Sequence, residues 1–361
     1  MKKELLKKHL RARFLSKYKV VKWALAGQKP ATLEVHPAYP CNMKCEFCID
    51  VWLKNVPSIE GLDINRDSKS MLSKENVDTI IQGCIDLKIP GIVISGGGEP
   101  TINPNTVYLV EQAHKHGIKT GMFTNGLALN DQNIPSYVTG LSFLRFSFDS
   151  FDPENYAKTK GVNEKTYFKV MENMKKCTDY KEKHNIVDCK IGIDFVIQPH
   201  SVHLIPGLYK KSSELHMDYV QFCDCVEQGY QFTEKVQEQI LEQIEKTMDW
   251  RDHQTHILQK DIPEIAYEPI QIRNECTCED CKMTDYIFQC GADGNVRPCP
   301  HTARHDQWCY GNINDTSLKE IWENRKSIKE SGVPYLYEFC RFRKQNEILD
   351  GLKQIEHGEI L

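Results

Sequence analysis

Between residue 31 and about residue 226, short β-prone runs alternate with longer amphipathic stretches, an order that few folds accept. The runs are Thr32–His36, Gly91–Ser95, Lys119–Thr124, Phe143–Asp149, Lys190–Ile197 and Tyr219–Cys225. Helix-like segments lie between them, near Lys74–Leu87, Asn105–His116, Lys165–His184 and Ile205–Glu214. Ser73 is placed to cap the first of these. Parallel strands need a long crossover, usually a helix, so this alternation predicts an α/β fold with a parallel sheet. Six strand–helix units are too few for a closed eight-fold barrel.

The most specific motif follows the first strand run. Cys41-Asn42-Met43-Lys44-Cys45-Glu46-Phe47-Cys48 sets three thiols at C-x3-C-x2-C spacing. Thiolates are soft ligands that suit iron–sulfur clusters. A cubane [4Fe-4S] cluster usually takes four protein ligands, so three on one loop leave an iron open to a small molecule. A zinc site or chance clustering is the competing reading. The chain has 15 cysteines, and an odd count leaves at least one outside any disulfide. Residues 1–27 lack the continuous apolar core of a secretory signal, and no apolar run approaches the roughly 20 residues that span a membrane. These features predict a soluble, cytoplasmic protein that uses part of its thiol complement for metal. A net charge of −4 and a pI of about 6.4 argue against a nucleic-acid partner.

The second strand run leads into Gly96-Gly97-Gly98-Glu99-Pro100. Glycines let a ligand approach the backbone closely, and Glu99 can accept hydrogen bonds from an ammonium group. A phosphate-binding loop is the alternative, but the Gly-Lys-Ser/Thr ending is missing.

Successive strand residues face opposite ways. Leu144, Phe146 and Phe148 form an apolar face on the fourth strand, leaving Arg145, Ser147 and Asp149 on the other. Arg145 suits a polar substrate or a structural ion pair. On the fifth strand Ile191, Ile193, Phe195 and Ile197 pack outward, and Lys190, Gly192, Asp194 and Val196 face in. On the sixth, Tyr219, Gln221, Cys223 and Cys225 face in. Cys223 and Cys225 are candidate hydrogen-atom donors or small buried hydrophobes.

Met1–Gly27 carries nine Lys or Arg and one Glu, with apolar residues near helical spacing. It reads as a basic amphipathic helix, either packed on the domain or bound to an anionic surface. Downstream, Cys276, Cys278, Cys281, Cys290, Cys299, Cys309 and Cys340 mark a Cys-rich module, in which Asp293-Gly294 predicts a hairpin turn. A structural zinc site is the alternative for this module. The expected division is an N-terminal helix (1–30), a partial barrel (31–230), a helical linker (231–270), the Cys-rich α+β module (271–345) and a tail helix (346–361).

Together the Cys41–Cys48 loop and the Gly97-Gly98-Glu99 turn resemble the signatures of the radical S-adenosylmethionine (SAM) enzymes. Cys281-x12-Gly294-x4-Cys299 and the Tyr310-to-Trp322 segment resemble the family's twitch and SPASM auxiliary-cluster domains. The resemblance implies a partial (β/α)6 TIM-like barrel. It implies a [4Fe-4S] cluster on Cys41, Cys45 and Cys48 whose open iron chelates SAM, and an electron that cleaves SAM to a 5′-deoxyadenosyl radical. Carried over by position, Phe47, Gly97, Gly98, Glu99, Asn125, Ser147, Asp149 and Val196 would contact SAM. One auxiliary cluster is implied, held by Cys281, Cys299 and Cys340, with the fourth ligand open between Cys309, Cys278, Cys276 and a non-Cys group.

Implied partners are a reducing electron donor of flavodoxin or ferredoxin type and a substrate. Only about 40 residues precede Cys41, too few for a leader-binding winged helix. The expectation is therefore a polar small molecule, a sugar or aminocyclitol, undergoing dehydrogenation or epimerisation. A peptide or protein substrate is the alternative, and a non-enzymatic electron carrier a third reading.

Overall fold

The computed structural model describes residues 19–48, 69–225, 234–252, 264–267, 281–303, 306–327, 330 and 342–356. Cys276, Cys278, Cys340, residues 1–18 of the N-terminal helix and residues 49–68 after the cysteine loop lie outside the described residues. In chain order the first elements are α1 (Lys19–Leu25), β1 (Thr32–Val35), α2 (Lys74–Asp86), β2 (Gly91–Ile94), α3 (Asn105–Lys115) and β3 (Lys119–Thr124). Next come α4 (Ile134–Gly140), β4 (Phe143–Ser147), α5 (Pro153–Lys160), α6 (Glu164–Lys183), β5 (Lys190–Ile197), α7 (Ile205–Glu214) and β6 (Tyr219–Asp224). The chain continues through α8 (Glu234–Asp252), β7 (Glu264–Tyr267), β8 (Ile287–Cys290), β9 (Asn295–Arg297), β10 (Gly311–Asn312), α9 (Leu318–Glu323) and α10 (Arg343–Glu356).

Two compact units are interleaved along the sequence, one built from residues 41–57 and 121–270, the other from 14–40, 58–120 and 271–361. In the first, β3 to β7 pair in order and all parallel. Leu144, Phe146, Ile191, Ile193, Phe195, Ile197, Val220 and Phe222 are fully buried, as strand parity predicts. Each such side chain contributes about 1.5–3 kcal/mol by leaving water. Phe148, just past β4, packs against Tyr156, Phe151 and Tyr167 at centroid distances of 4.8, 4.9 and 5.7 Å. That aromatic cluster ties α5 and α6 to the end of β4. Residues 231–270 are not purely helical, since β7 follows α8 and adds a strand to β6. Glu-Ile-Ala-Tyr is too short to stand out as a strand by alternation.

In the second unit β1 pairs in parallel with β2 on one side and β8 on the other, and β8, β9 and β10 form an antiparallel meander. The Cys-rich module is therefore not separate on this side, because its first strand extends the sheet of β1. Ser73 caps α2 as expected, accepting from Asn76 N (3.2 Å) while Asn76 Oδ1 accepts from Ser73 N (3.0 Å). Gly294 turns the β8–β9 hairpin at φ +79°. Trp23 and Ala24 of α1 pack with Ile348 and Leu352 of α10 onto Met283, Tyr286 and Ile287. Residues 19–25 thus form a helix docked on the domain.

Arg297 anchors the hairpin. Its side chain is 1% exposed and donates to Asp293 Oδ2 (2.8 Å) and Asp306 Oδ1 (2.7 Å). Burial pushes the Asp293 carboxyl up, but the Arg297 hydrogen bond and charge outweigh it and hold the pKa below the usual range. Arg297→Met strands Asp293 and should cost about 3 kcal/mol in denaturant unfolding. A depressed carboxylate adds stability above its unfolded pKa of about 3.9, which is lost as pH falls through its lower folded value. The wild type should lose this increment below about pH 4, and the variant should lack that part of the acid dependence.

Candidate active site

The cysteine loop is fastened to the end of α5. Lys44 N donates to Lys160 O (2.9 Å), Glu46 N to Thr159 O (3.0 Å), and Cys48 N closes a turn on Cys45 O (3.1 Å). Gly161 ends α5 in the left-handed region at φ +60°, and a Cβ there would run into the Lys44 carbonyl. Asn125, just past β3, donates to Asn42 Oδ1 (2.7 Å), so it holds the loop directly. Met43 is buried, with Tyr156 Oη at 4.0 Å from its sulfur.

Behind the loop sits a buried cation absent from the sequence-derived site. The Lys160 side chain is 1% exposed, forms an ion pair with Asp149, and places Nζ 5.1 Å from the Phe47 ring centroid. Burial would push its ammonium pKa down, but Asp149, then Cys45 and Tyr156, outweigh that and keep it protonated. Burial pushes the Cys45 thiol up, and Lys160 is the main influence pulling it back. Lys160 was missed because a lysine in a last helical turn before glycine reads as an ordinary dipole partner.

Asp149 differs from its expected role. It is 2% exposed, and its carboxylate is taken up by Lys160 and by Val196 N (2.6 Å). It ties β4, β5 and α5 together, and it already engages the backbone N–H of Val196. Ser147 is half-buried and in register with Asp194.

The glycine turn also reads differently in three dimensions. A Cβ on Gly98 would collide with the carbonyl oxygens of Tyr39 and Pro40, and Glu99 N donates to Pro40 O (2.9 Å). Gly98 is thus required by backbone contact with the residues leading into Cys41, rather than by ligand approach alone. Gly97 is buried. Glu99 is 3% exposed and caps a 3-10 turn, accepting from Thr101 N (3.0 Å) and Thr101 Oγ1 (2.6 Å). These bonds preset the carboxylate's orientation.

Across β4, β5 and β6 the second face carries a polar row. Cys223 is half-buried, with Sγ 3.4 Å from Asp194 Oδ1 and 3.0 Å from Gln221 Nε2. Cys225 lies past the end of β6 and is fully buried, because its N–H continues the ladder to Ile197 O while the chain leaves the strand. Cys223 is the partly accessible thiol of the two. Arg145 donates from Nε to Tyr219 Oη (3.0 Å) and lies over the Phe123 and Phe143 rings at 4.7 and 5.4 Å. Beside it, Gly121 and Gly192 leave room for the Phe143 and Tyr219 rings. Arg145 is therefore braced among aromatic rings at the middle of β4, in register with Phe123 of β3.

Cys84, Cys177, Cys189 and Cys290 are buried thiols whose pKa burial raises, to about 12 for Cys84 and Cys189. They pack as small hydrophobes. Cys281 and Cys299 flank one apolar cluster, with Phe342 beside them. Both influence the Tyr310 phenol, whose pKa burial raises. Cys309 is placed otherwise. Its thiol donates to Gly311 O (3.1 Å), and its charged neighbours are Arg297 and Asp293.

Among the described residues, no three His, Cys, Asp or Glu side chains are already gathered around one point. The ligand sets rest instead on donor chemistry. Three partly accessible thiols on a doubly anchored loop, backed by a buried ammonium, fit a thiolate-bound cluster of net negative charge. Cys281 and Cys299, both partly accessible beside one apolar cluster, fit a second.

Residues 36–194 match the family model described as the radical SAM superfamily, and residues 278–348 match that of the SPASM iron–sulfur cluster-binding domain. The chain belongs to the radical SAM superfamily. Its C-terminal region is a SPASM/twitch-like domain, and the cofactors expected from sequence, [4Fe-4S] clusters and SAM, are those of these domains. It is 23% identical to the tungsten-containing aldehyde ferredoxin oxidoreductase cofactor-modifying protein of Pyrococcus furiosus, over 83% of each chain. It is 24% identical to the cysteine-type anaerobic sulfatase-maturating enzyme of Clostridium perfringens, over 86% of this chain and 85% of that one.

Among solved structures it resembles Streptococcus suis SuiB bound to the precursor peptide SuiA. The TM-score is 0.60 at 17% identity, covering 86% of this chain and 69% of that one. It also resembles anSMEcpe with bound AdoMet, with a TM-score of 0.56 at 19% identity, covering 87% and 84%. The fold is the partial barrel with a C-terminal auxiliary domain. Among the described residues, no helix is long and apolar enough to cross a membrane.

Proposed function

We propose that this radical SAM enzyme is a maturase acting on a peptide or protein. The observation that carries this reading is the match, over more than four-fifths of the chain, to proteins named for modifying a cofactor and maturing a sulfatase. The fold likeness to a peptide-bound enzyme agrees with it. These relatives favour a macromolecular substrate over the sugar or aminocyclitol expected from sequence.

Cys41, Cys45 and Cys48 hold the SAM-binding cluster, and Lys160 offsets the charge their thiolates bring together. When bound, the cluster and SAM would supply radical chemistry able to activate a substrate C–H bond. Glu99, oriented by Thr101, would accept from the amino group of SAM's methionine part. Asn125 and the end of α5 fix the loop, so that the reacting centre is positioned before substrate arrives. Cys223 and Asp194 stand 3.4 Å apart on the polar face, a thiol able to give a hydrogen atom beside a carboxylate able to take a proton. Cys281 and Cys299 belong to the auxiliary cluster, with Cys340 as a further ligand two residues before Phe342. Cys309 is the weaker candidate on its contacts.

The test supplies the reconstituted, reduced protein with SAM and either deuterated synthetic peptides or deuterated sugars and aminocyclitols. Deuterium should appear in 5′-deoxyadenosine together with a changed peptide mass. Transfer from free sugars or aminocyclitols, and none from peptide, would overturn the maturase reading.

A further inference from the structure

The tail helix α10 places one polar side chain against a proposed auxiliary-cluster ligand. Asn346 Nδ2 lies 3.3 Å from Cys281 Sγ, and Asn346 Oδ1 accepts from Met283 N at 2.9 Å. The orientation of this amide is fixed by chemistry. A backbone N–H only donates, so the oxygen must face Met283. That leaves the NH2 as the nearer group to the sulfur, with Oδ1 itself 3.7 Å from Sγ and able to accept only from a protonated thiol. Asn346 is part-buried at this contact, and Ile348, Leu349 and Leu352 of the same helix pack into the apolar cluster that Cys281 and Cys299 flank. The helix therefore has an apolar docking face of its own besides Asn346. A side chain used only for capping would have been served by the Met283 bond alone.

We propose that Asn346 is a positioning residue of the auxiliary cluster, donating an N–H···S hydrogen bond to Cys281 that raises the cluster's reduction potential. This rests on the reading above that Cys281 is a ligand. A ligating cysteine is a thiolate, which only accepts, so the NH2 group is the partner it requires. Hydrogen bonds to cluster sulfur withdraw charge and favour the reduced state, one of the protein's main means of setting such potentials. The same bond links the potential of the auxiliary cluster to the seating of the C-terminal helix.

The experiment uses the full chain carrying Cys41→Ala, Cys45→Ala and Cys48→Ala, so that only auxiliary iron is observed after reconstitution. Two readouts are taken: the midpoint potential, and the coupling of exchangeable protons to the reduced cluster by electron–nuclear double resonance in H2O and D2O. Asn346→Asp keeps the Met283 acceptor and removes the donor, and Asn346→Leu removes both without adding charge. Both variants should lose one strongly coupled exchangeable proton. Each should shift the reduction equilibrium about tenfold toward the oxidised cluster, which is about 59 mV for one electron. Cys281→Ala separates the two claims. If it keeps its auxiliary iron, the ligand reading fails and this inference fails with it. If it loses the iron while Asn346→Leu keeps both the proton coupling and the potential, Asn346 only docks the helix and this inference alone is wrong.

Discussion

Lys160→Met should destabilise the protein and impair the cysteine loop together. Lys160 and Asp149 are an ion pair with side chains 1% and 2% exposed, so removing the cation leaves a carboxylate buried without its counter-charge. Breaking one partner of such a pair typically costs about 3–5 kcal/mol. Val196 N still donates to Asp149, which offsets only part of the loss. The second effect falls on the loop. Lys160 is the main influence opposing burial at Cys45, and its Nζ lies over Phe47. Without it, three thiolates must be brought together without this buried cation to offset them, and iron retained by the loop should fall. Combining Lys160→Met with Asp149→Asn removes the stranded charge and keeps an acceptor for Val196 N. The double variant should therefore regain stability in denaturant unfolding but not iron. Recovery of both would mean that Lys160 acts on the fold alone.

Gly98→Ala should disable SAM cleavage through a single methyl group. The new Cβ meets the backbone carbonyls of Tyr39 and Pro40, which cannot rotate aside as a side chain would. Relief requires the glycine turn to move away from the residues preceding Cys41, breaking the 2.9 Å bond from Glu99 N to Pro40 O. Overpacking of this kind costs about 1–3 kcal/mol in stability. The larger effect is on geometry, because displacing a positioned group by about 1 Å reduces rates roughly a hundredfold. Gly207→Ala is the matched control. Gly207 lies in α7 with nothing within 4 Å of a new Cβ, and it should be neutral or stabilising by up to about 1 kcal/mol. Steady-state formation of 5′-deoxyadenosine for the two variants gives the comparison. Equal rates would show that the turn tolerates displacement.

The architecture was legible where a residue's type alone determined its role. Apolar alternation marked β4, β5 and β6, and the apolar residues it assigned to one face are fully buried. Ser73 and Gly294 have one local use each, and both take it. The site was legible as a set of cysteines and a glycine turn, but not as a constellation. Lys160, Asn42 and Asn346 gain their meaning from partners 11 to 83 positions away in sequence, and nothing in their own neighbourhood signals it. Asp149 shows the converse. Its position past β4 suggested a ligand contact, yet a buried lysine from the next helix claims it. Cys225 followed strand parity on paper, but the strand ends one residue earlier. The substrate class was least legible, because neither the loop nor the turn touches what distinguishes a peptide from a sugar.

The measurement that tests the account most directly compares the wild type with the Cys41→Ala, Cys45→Ala, Cys48→Ala variant after anaerobic reconstitution with iron and sulfide. Iron, sulfide and reductive cleavage of SAM are followed in parallel. The account predicts about eight irons in the wild type falling to about four in the variant, for two four-iron clusters, with 5′-deoxyadenosine formation abolished. A variant that keeps all its iron, or that still cleaves SAM, would contradict the assignment of the SAM-cleaving cluster to this loop.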